Sequence, residues 1–158
     1  GVILLNPLMQ VTSRMKFLIK GTDKIAHLSI MQAGVEIDGI QIDPTTGNNY
    51  TVGDNMLSKL GDKYNRIYVP AKSFITTSEG ILQGETGILP TDCRSTPVIV
   101  IMNVLVNDVP TQFTYSIVGK QFLPGYSYNY TVTLDIKDGI TVANWQESSW
   151  TADIDPDK

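Results

Sequence analysis

Chemistry in this 158-residue chain would have to start from a single imidazole, His27, or a single thiol, Cys93. A Ser-His-Asp relay and a histidine-rich metal site both need that imidazole held by partners. His27 lies in the run Ile25 to Met31, whose composition predicts a strand, and there it reads as a half-buried structural histidine. Cys93 has no second cysteine to join and is expected to be a small buried apolar residue. Two carboxylates facing each other at about 5 Å, or about 6.5–9.5 Å, could hydrolyse a glycoside. The acidic residues here fall mainly in turns and on polar faces, and no pair is set apart by its surroundings. Asp153, Asp155 and Asp157 alternate as at the start of a calcium loop. That loop also wants a glycine at its sixth position and a glutamate at its twelfth, and Pro156 and the chain end leave room for neither. Gly80, Gly84 and Gly87 match no phosphate-cradling spacing, and Asn49-Tyr50-Thr51 and Asn129-Tyr130-Thr131 are weak glycosylation patterns. The expectation is therefore a non-enzymatic protein with no catalytic residue, no cofactor and no metal.

The elements that would position any site are strands. From Tyr126 to Ile136 every second residue is large and apolar: Tyr126, Tyr128, Tyr130, Val132, Leu134 and Ile136 share one side, with Ser127, Asn129, Thr131, Thr133 and Asp135 on the other. Successive strand side chains point to opposite faces, so this run predicts a long strand with one buried and one wet face. Tyr126, Tyr128, Tyr130 and, further on, Trp145 form a candidate aromatic face. Presented outward, such a row stacks on sugars, which would make the chain a free-standing carbohydrate-binding β-sandwich with Tyr126, Tyr128, Trp145 or Trp150 as its platform. Turned inward it fills a core, and its continuation into Val132, Leu134 and Ile136 favours the core.

Other strands follow from the same signals. Met15, Phe17 and Ile19 alternate with Arg14, Lys16, Leu18 and Lys20 before a turn at Gly21 to Lys24. Ile25 to Met31 and Val35 to Ile42 read as two more strands, the latter with Val35, Ile37 and Gly39 opposite Glu36, Asp38 and Ile40. Asp43 to Asn49 concentrates turn-formers, and Asp54 to Lys63 could form a short helix capped by Asp54 and stopped by Gly61. Arg66 to Pro70 is a short strand, and residues 71 to 97 are glycine- and proline-rich loops with small strands. Val98 to Val106 is nearly all apolar and predicts a central strand covered on both faces. Asn107-Asp108 turns the chain into Gln112 to Val118, and Asp138-Gly139 turns the tyrosine strand into Ile140 to Ala143. Many short strands with no strand–helix alternation predict an all-β antiparallel sandwich of about seven strands, residues 1–150, followed by a polar tail at 151–158.

The totals exclude several functions. The net charge is −4 and no basic stripe occurs, so a nucleic-acid partner is not expected. Hydrophobic residues make up 42 %, too many for a disordered chain, and no apolar run approaches the ~20 residues of a spanning helix. A start at Gly1 without a charged and then apolar leader reads as a processed or trimmed chain, with Gly1 either native or a cloning remnant.

The stretch from Gly119 to Leu134, with Gly119-Lys120-Gln121-Phe122-Leu123-Pro124-Gly125 leading into Tyr126-Ser127-Tyr128, resembles the ending of fimbrillin-like proteins of Bacteroidales. Gly139-Ile140-Thr141-Val142 and Trp145 follow in the family's order. Asn6 to Lys20 resembles its opening strand, and Arg66 to Phe74 and Leu89-Pro90 are similar to its middle strands. The chain departs from the family in its opening, where Asn6-Pro7-Leu8-Met9 replaces a histidine-containing segment, and in a length short for members with two tandem sandwiches. The resemblance implies a transthyretin-like, Greek-key sandwich acting as a structural or adhesion subunit of a fimbria (pilus). It implies export to the cell surface, with a lipoprotein precursor whose lipid is its only link to the outer membrane. The implied partners are other fimbrial subunits and a host or bacterial surface protein or glycan. Assembly in such proteins exchanges strands between neighbours. Val2, Ile3, Leu4 and Leu5 are the candidate exchanged segment, though an apolar strand there could equally complete its own core; the strands around Val98 and Tyr126 are the candidate acceptors.

Overall fold

The computed structural model describes residues 13–42, 63–94 and 96–151. Among them the chain forms eleven strands: β1 (Ser13–Gly21), β2 (Leu28–Ile42), β3 (Lys63–Val69), β4 (Ile75–Thr76), β5 (Leu82–Ile88), β6 (Thr91–Asp92), β7 (Val98–Val106), β8 (Val109–Ile117), β9 (Gln121–Phe122), β10 (Tyr126–Lys137) and β11 (Ile140–Thr151). A single 3-10 turn at Ala71–Ser73 is the only helical element among the described residues. The expected helix at Asp54 to Lys63 lies outside the described residues, except that Lys63 opens β3.

One sheet has the order β11–β10–β1–β5–β4, the other β3–β2–β7–β8, and β6 pairs with β9 in a small ribbon. Their inward side chains form one core, with Met15, Phe17, Ile19, Tyr130, Val132 and Leu134 from the first sheet meeting Val35, Ile37, Val100, Met102 and Val104 from the second. This is the all-β sandwich that the alternation predicts. All pairings are antiparallel except β1 with β10, which run parallel from Arg14 opposite Ser127 to Gly21 opposite Leu134. A parallel pair needs a long crossover, and here everything between the two strands serves as one.

Both two-residue turns have the geometry their residues suggest. Asn107 and Asp108 sit at φ 49° and 67°, and Asp138 and Gly139 at φ 52° and 79°. Left-handed backbone at both central positions matches the twist of the flanking strands.

The runs Ile25 to Met31 and Val35 to Ile42 are corrected to one 15-residue strand, β2. Its pairing with β7 shifts register between Ile30 and Val35, around Gly34 at φ 68°. A Cβ at Gly34 would stand 1.9 Å from the Val69 carbonyl oxygen, so only glycine fits. A second irregularity between Asp38 and Ile40 inserts Gly39 as an extra residue, and Ile40, not Gly39, joins Val35 and Ile37 inside. His27 precedes β2 and is exposed, not half-buried within a strand.

β7 is central, as its composition predicts, and its inner face (Val98, Val100, Met102, Val104, Val106) is buried; on the outer face Asn103 is buried as well, while Ile99, Ile101 and Leu105 are half-covered among the described residues. β11 extends well past Ala143 to Thr151, because β10 offers a partner at every position from Lys137 back to Tyr126.

Candidate functional site

Two features could carry function: the aromatic seam between the sheets and the strand edges beside it. Tyr130 is fully buried and Tyr128 is 4 % exposed, while Tyr126 and Trp145 are partly buried. β10 lies between β1 and β11, so its inward residues are roofed by the opposite sheet. Tyr130 stacks on Phe17 with centroids 5.9 Å apart and meets the edge of Tyr115 of the other sheet at 6.2 Å. Tyr115 in turn stacks on Trp145 at 4.7 Å, so β8 and β11 are joined across the sandwich. Further along, Tyr128 contacts Phe122 edge-on at 4.7 Å and Tyr126 at 6.0 Å. Aromatic pairs in these geometries contribute about 0.5–1.5 kcal/mol beyond their buried area.

The polar tips of the seam are arranged for structure. The Tyr128 hydroxyl accepts from the Leu123 N–H at 2.8 Å and donates to the Gln121 carbonyl at 3.3 Å, and burial raises its pKa. Burial, with Glu147 adding to it, raises the Tyr130 phenol strongly. Lys120 pairs with Glu147 and places its ammonium 5.1 Å from the Tyr128 ring and 5.6 Å from Phe122, a cation–π arrangement. Cys93 is buried; its Sγ donates to the Lys120 carbonyl at 3.1 Å, and desolvation raises its pKa. A thiol held protonated is a poor nucleophile. Nothing in the seam couples a nucleophile to a base, and the described residues include no cluster of three His, Cys, Asp or Glu suited to a metal.

The edges differ from those expected. Val98 opens β7 and Tyr126 opens β10, and both strands have neighbours on each side. The open edges beside the seam, among the described residues, are those of β8 and β11. β8 carries no charged residue and β11 only Glu147, which is already paired. Edges of this length without charge are prone to accept another strand. The segment Val2 to Leu5 lies outside the described residues, as does the side chain of Trp150. Beyond its place in a turn, nothing in the sequence marks Asn107 as the side chain that accepts from the Ala26 and His27 N–H groups.

A fimbrillin-like family model matches residues 1–154. The chain belongs to the fimbrillin-like family. This fimbrillin-like chain is 36 % identical to a proposed cell adhesion protein of Bacteroides fragilis, with a TM-score of 0.75 over 89 % of the chain and 46 % of that protein. A fimbrial protein of Bacteroides vulgatus is 11 % identical, with a TM-score of 0.43 over 89 % of this chain and 55 % of that one. A proposed cell adhesion protein of Bacteroides uniformis is 18 % identical, with a TM-score of 0.45 over 89 % and 51 %. The last two likenesses are too distant to carry an argument. No curated protein matches. The fimbrillin-like chain spans about half the length of these solved relatives.

Proposed function

We propose that residues 1–150 form one sandwich domain of a structural or adhesion subunit of a fimbria on a bacterial surface, with no catalytic role. The observation that carries this reading is the family match over residues 1–154, supported by 36 % identity and a shared fold with a proposed adhesion protein. On this reading its partners are other fimbrial subunits and a surface protein or glycan. The membrane is reached only through a lipid on an exported precursor at the outer membrane.

Assembly proceeds by strand exchange, with Val2, Ile3, Leu4 and Leu5 as the segment offered to a neighbour. The ladders of β7 and β10 are full, so the acceptor is the flank where β8 and β11, among the described residues, present unpaired edges over Tyr115 and Trp145. Unpaired N–H and C=O groups beside apolar side chains drive strand addition, and contacts between unlike surfaces extend into fibres. Size-exclusion chromatography of the purified chain tests it. Oligomers are expected to dissociate on deleting Val2 to Leu5 and on placing charge along β8 by Thr114→Lys with Ser116→Lys. Oligomers indifferent to both changes, or a monomer throughout, would overturn strand exchange at this flank.

A further inference from the structure

The end of the sandwich remote from Ser13 and Thr151 holds a cleft of about 720 Å³, built by three turns distant in sequence. The turn between β1 and β2 contributes Ile25 and His27, the turn between β4 and β5 contributes Glu79 and Ile81, and the β7–β8 turn contributes Asp108. Lys20, Ser29 and Thr76 complete the wall from the adjoining strand ends. The volume suits a small ligand. The strand ends leading to residues 1–12, 43–62 and 152–158 all lie at the opposite end, since Ser13, Ile42, Lys63 and Thr151 stand there.

The walls are pinned. The Asn107 side-chain oxygen accepts from the Ala26 and His27 N–H groups at 2.8 and 3.0 Å, and the Asn107 N–H donates to the His27 carbonyl at 2.7 Å. The Thr22 hydroxyl donates to Asp135 at 2.7 Å, and the Thr77 hydroxyl accepts from the Ile81 N–H at 3.1 Å. Yet Lys20, His27, Ser29, Thr76, Glu79 and Asp108 spend no side-chain polar group on one another among the described residues. The turn backbones are thus ordered before any ligand arrives, and binding has to order only the exposed side chains it recruits.

We propose that this cleft binds a neutral saccharide. Two carboxylates accept from vicinal hydroxyls, and a lysine donates to ring or hydroxyl oxygens. The half-covered Ile25, Leu28 and Ile81 suit the apolar side of a sugar ring and are too few for a lipid chain. A phosphorylated ligand would face Glu79 and Asp108 with like charge. A peptide added to a sheet needs free strand amides, and this wall is mainly turn side chains. The inference rests on the adhesion reading for its purpose and locates the contact that reading leaves open.

The full chain, labelled with 15N, is titrated with galactose, mannose and N-acetylglucosamine, alongside a glycan array. Amide shifts confined to residues 20–29, 76–81 and 107–108 are expected. Glu79→Gln and Asp108→Asn, both exposed and outside any hydrogen-bond frame, should each weaken binding about tenfold, the loss of one charged hydrogen bond, with thermal stability unchanged. No saccharide response, a response at Tyr126 and Trp145 instead, or capture of peptides alone at the cleft would overturn the proposal. Because oligomerisation is read separately by size exclusion, a silent cleft in an oligomerising chain refutes only this inference. A binding cleft in a monomeric chain refutes only the strand-exchange assembly.

Discussion

At one end of the sandwich Phe122, Tyr128, Cys93 and Lys120 fill the space between chain segments with rings, a buried thiol and an ammonium over aromatic faces. At the other end Asn107, Thr22 and Thr77 fasten turns by hydrogen bonds, and the space between those turns stays open. The difference teaches how one small fold can be both stable and receptive. Burial secures the end where chain segments cross over. Polar fastening secures the end where surface must remain wet, since a hydrogen bond fixes geometry without removing its neighbours from water.

The sharpest way to break this contrast is Phe122→Ala. It should cost about 3–5 kcal/mol in denaturant unfolding, since the ring is fully buried against Tyr128. Asn107→Ala at the other end should cost less, about 2 kcal/mol, through lost backbone partners and a left-handed φ of 49° that alanine tolerates poorly. If Asn107→Ala proved the costlier change, the polar end would be the main anchor and the contrast would reverse. Gly139→Ala, at φ 79° with open space around its Cβ, should cost about 1 kcal/mol from backbone conformation alone. A larger loss would show that the β10–β11 turn packs against something more.

The smallest effect expected is a pH dependence at the filled end. Hydrogen bonds and charge from Arg94 hold the Asp92 carboxyl down to about 2. A depressed carboxyl contributes stability that is complete above its unfolded value near ~4 and is lost as pH falls through about 2. Asp92→Asn should remove that acid-limb slope in a stability-versus-pH series and leave the limb above pH ~4 parallel to the parent. An unchanged slope would mean that Arg94 does not hold the carboxyl in solution.

Local patterns in the sequence made much of this readable. Alternation places Met15, Phe17 and Ile19 inside, and the two-residue turns at Asn107-Asp108 and Asp138-Gly139 announce their hairpins by residue type. The strand phase is hidden where glycine adds a residue: Gly39 resembles an ordinary strand position, but its extra place moves Ile40 inward. The open edges are not legible in the sequence, because apolar content reports burial, and a strand buried by its neighbours reads like one awaiting a partner. The cleft could not be seen at all. Lys20, His27, Glu79 and Asp108 come together only through sheet order, which leaves no mark in spacing along the chain.

The parallel seam of β1 against β10 sets a schedule for the nascent polypeptide. The first described strand receives its second neighbour only after residues 126–134 have been synthesised, so Met15, Phe17 and Ile19 stay incompletely sheltered until late. Such long-range closure is slow. A chain of this topology gains from a chaperone that keeps β1 apart from other copies until β10 has emerged.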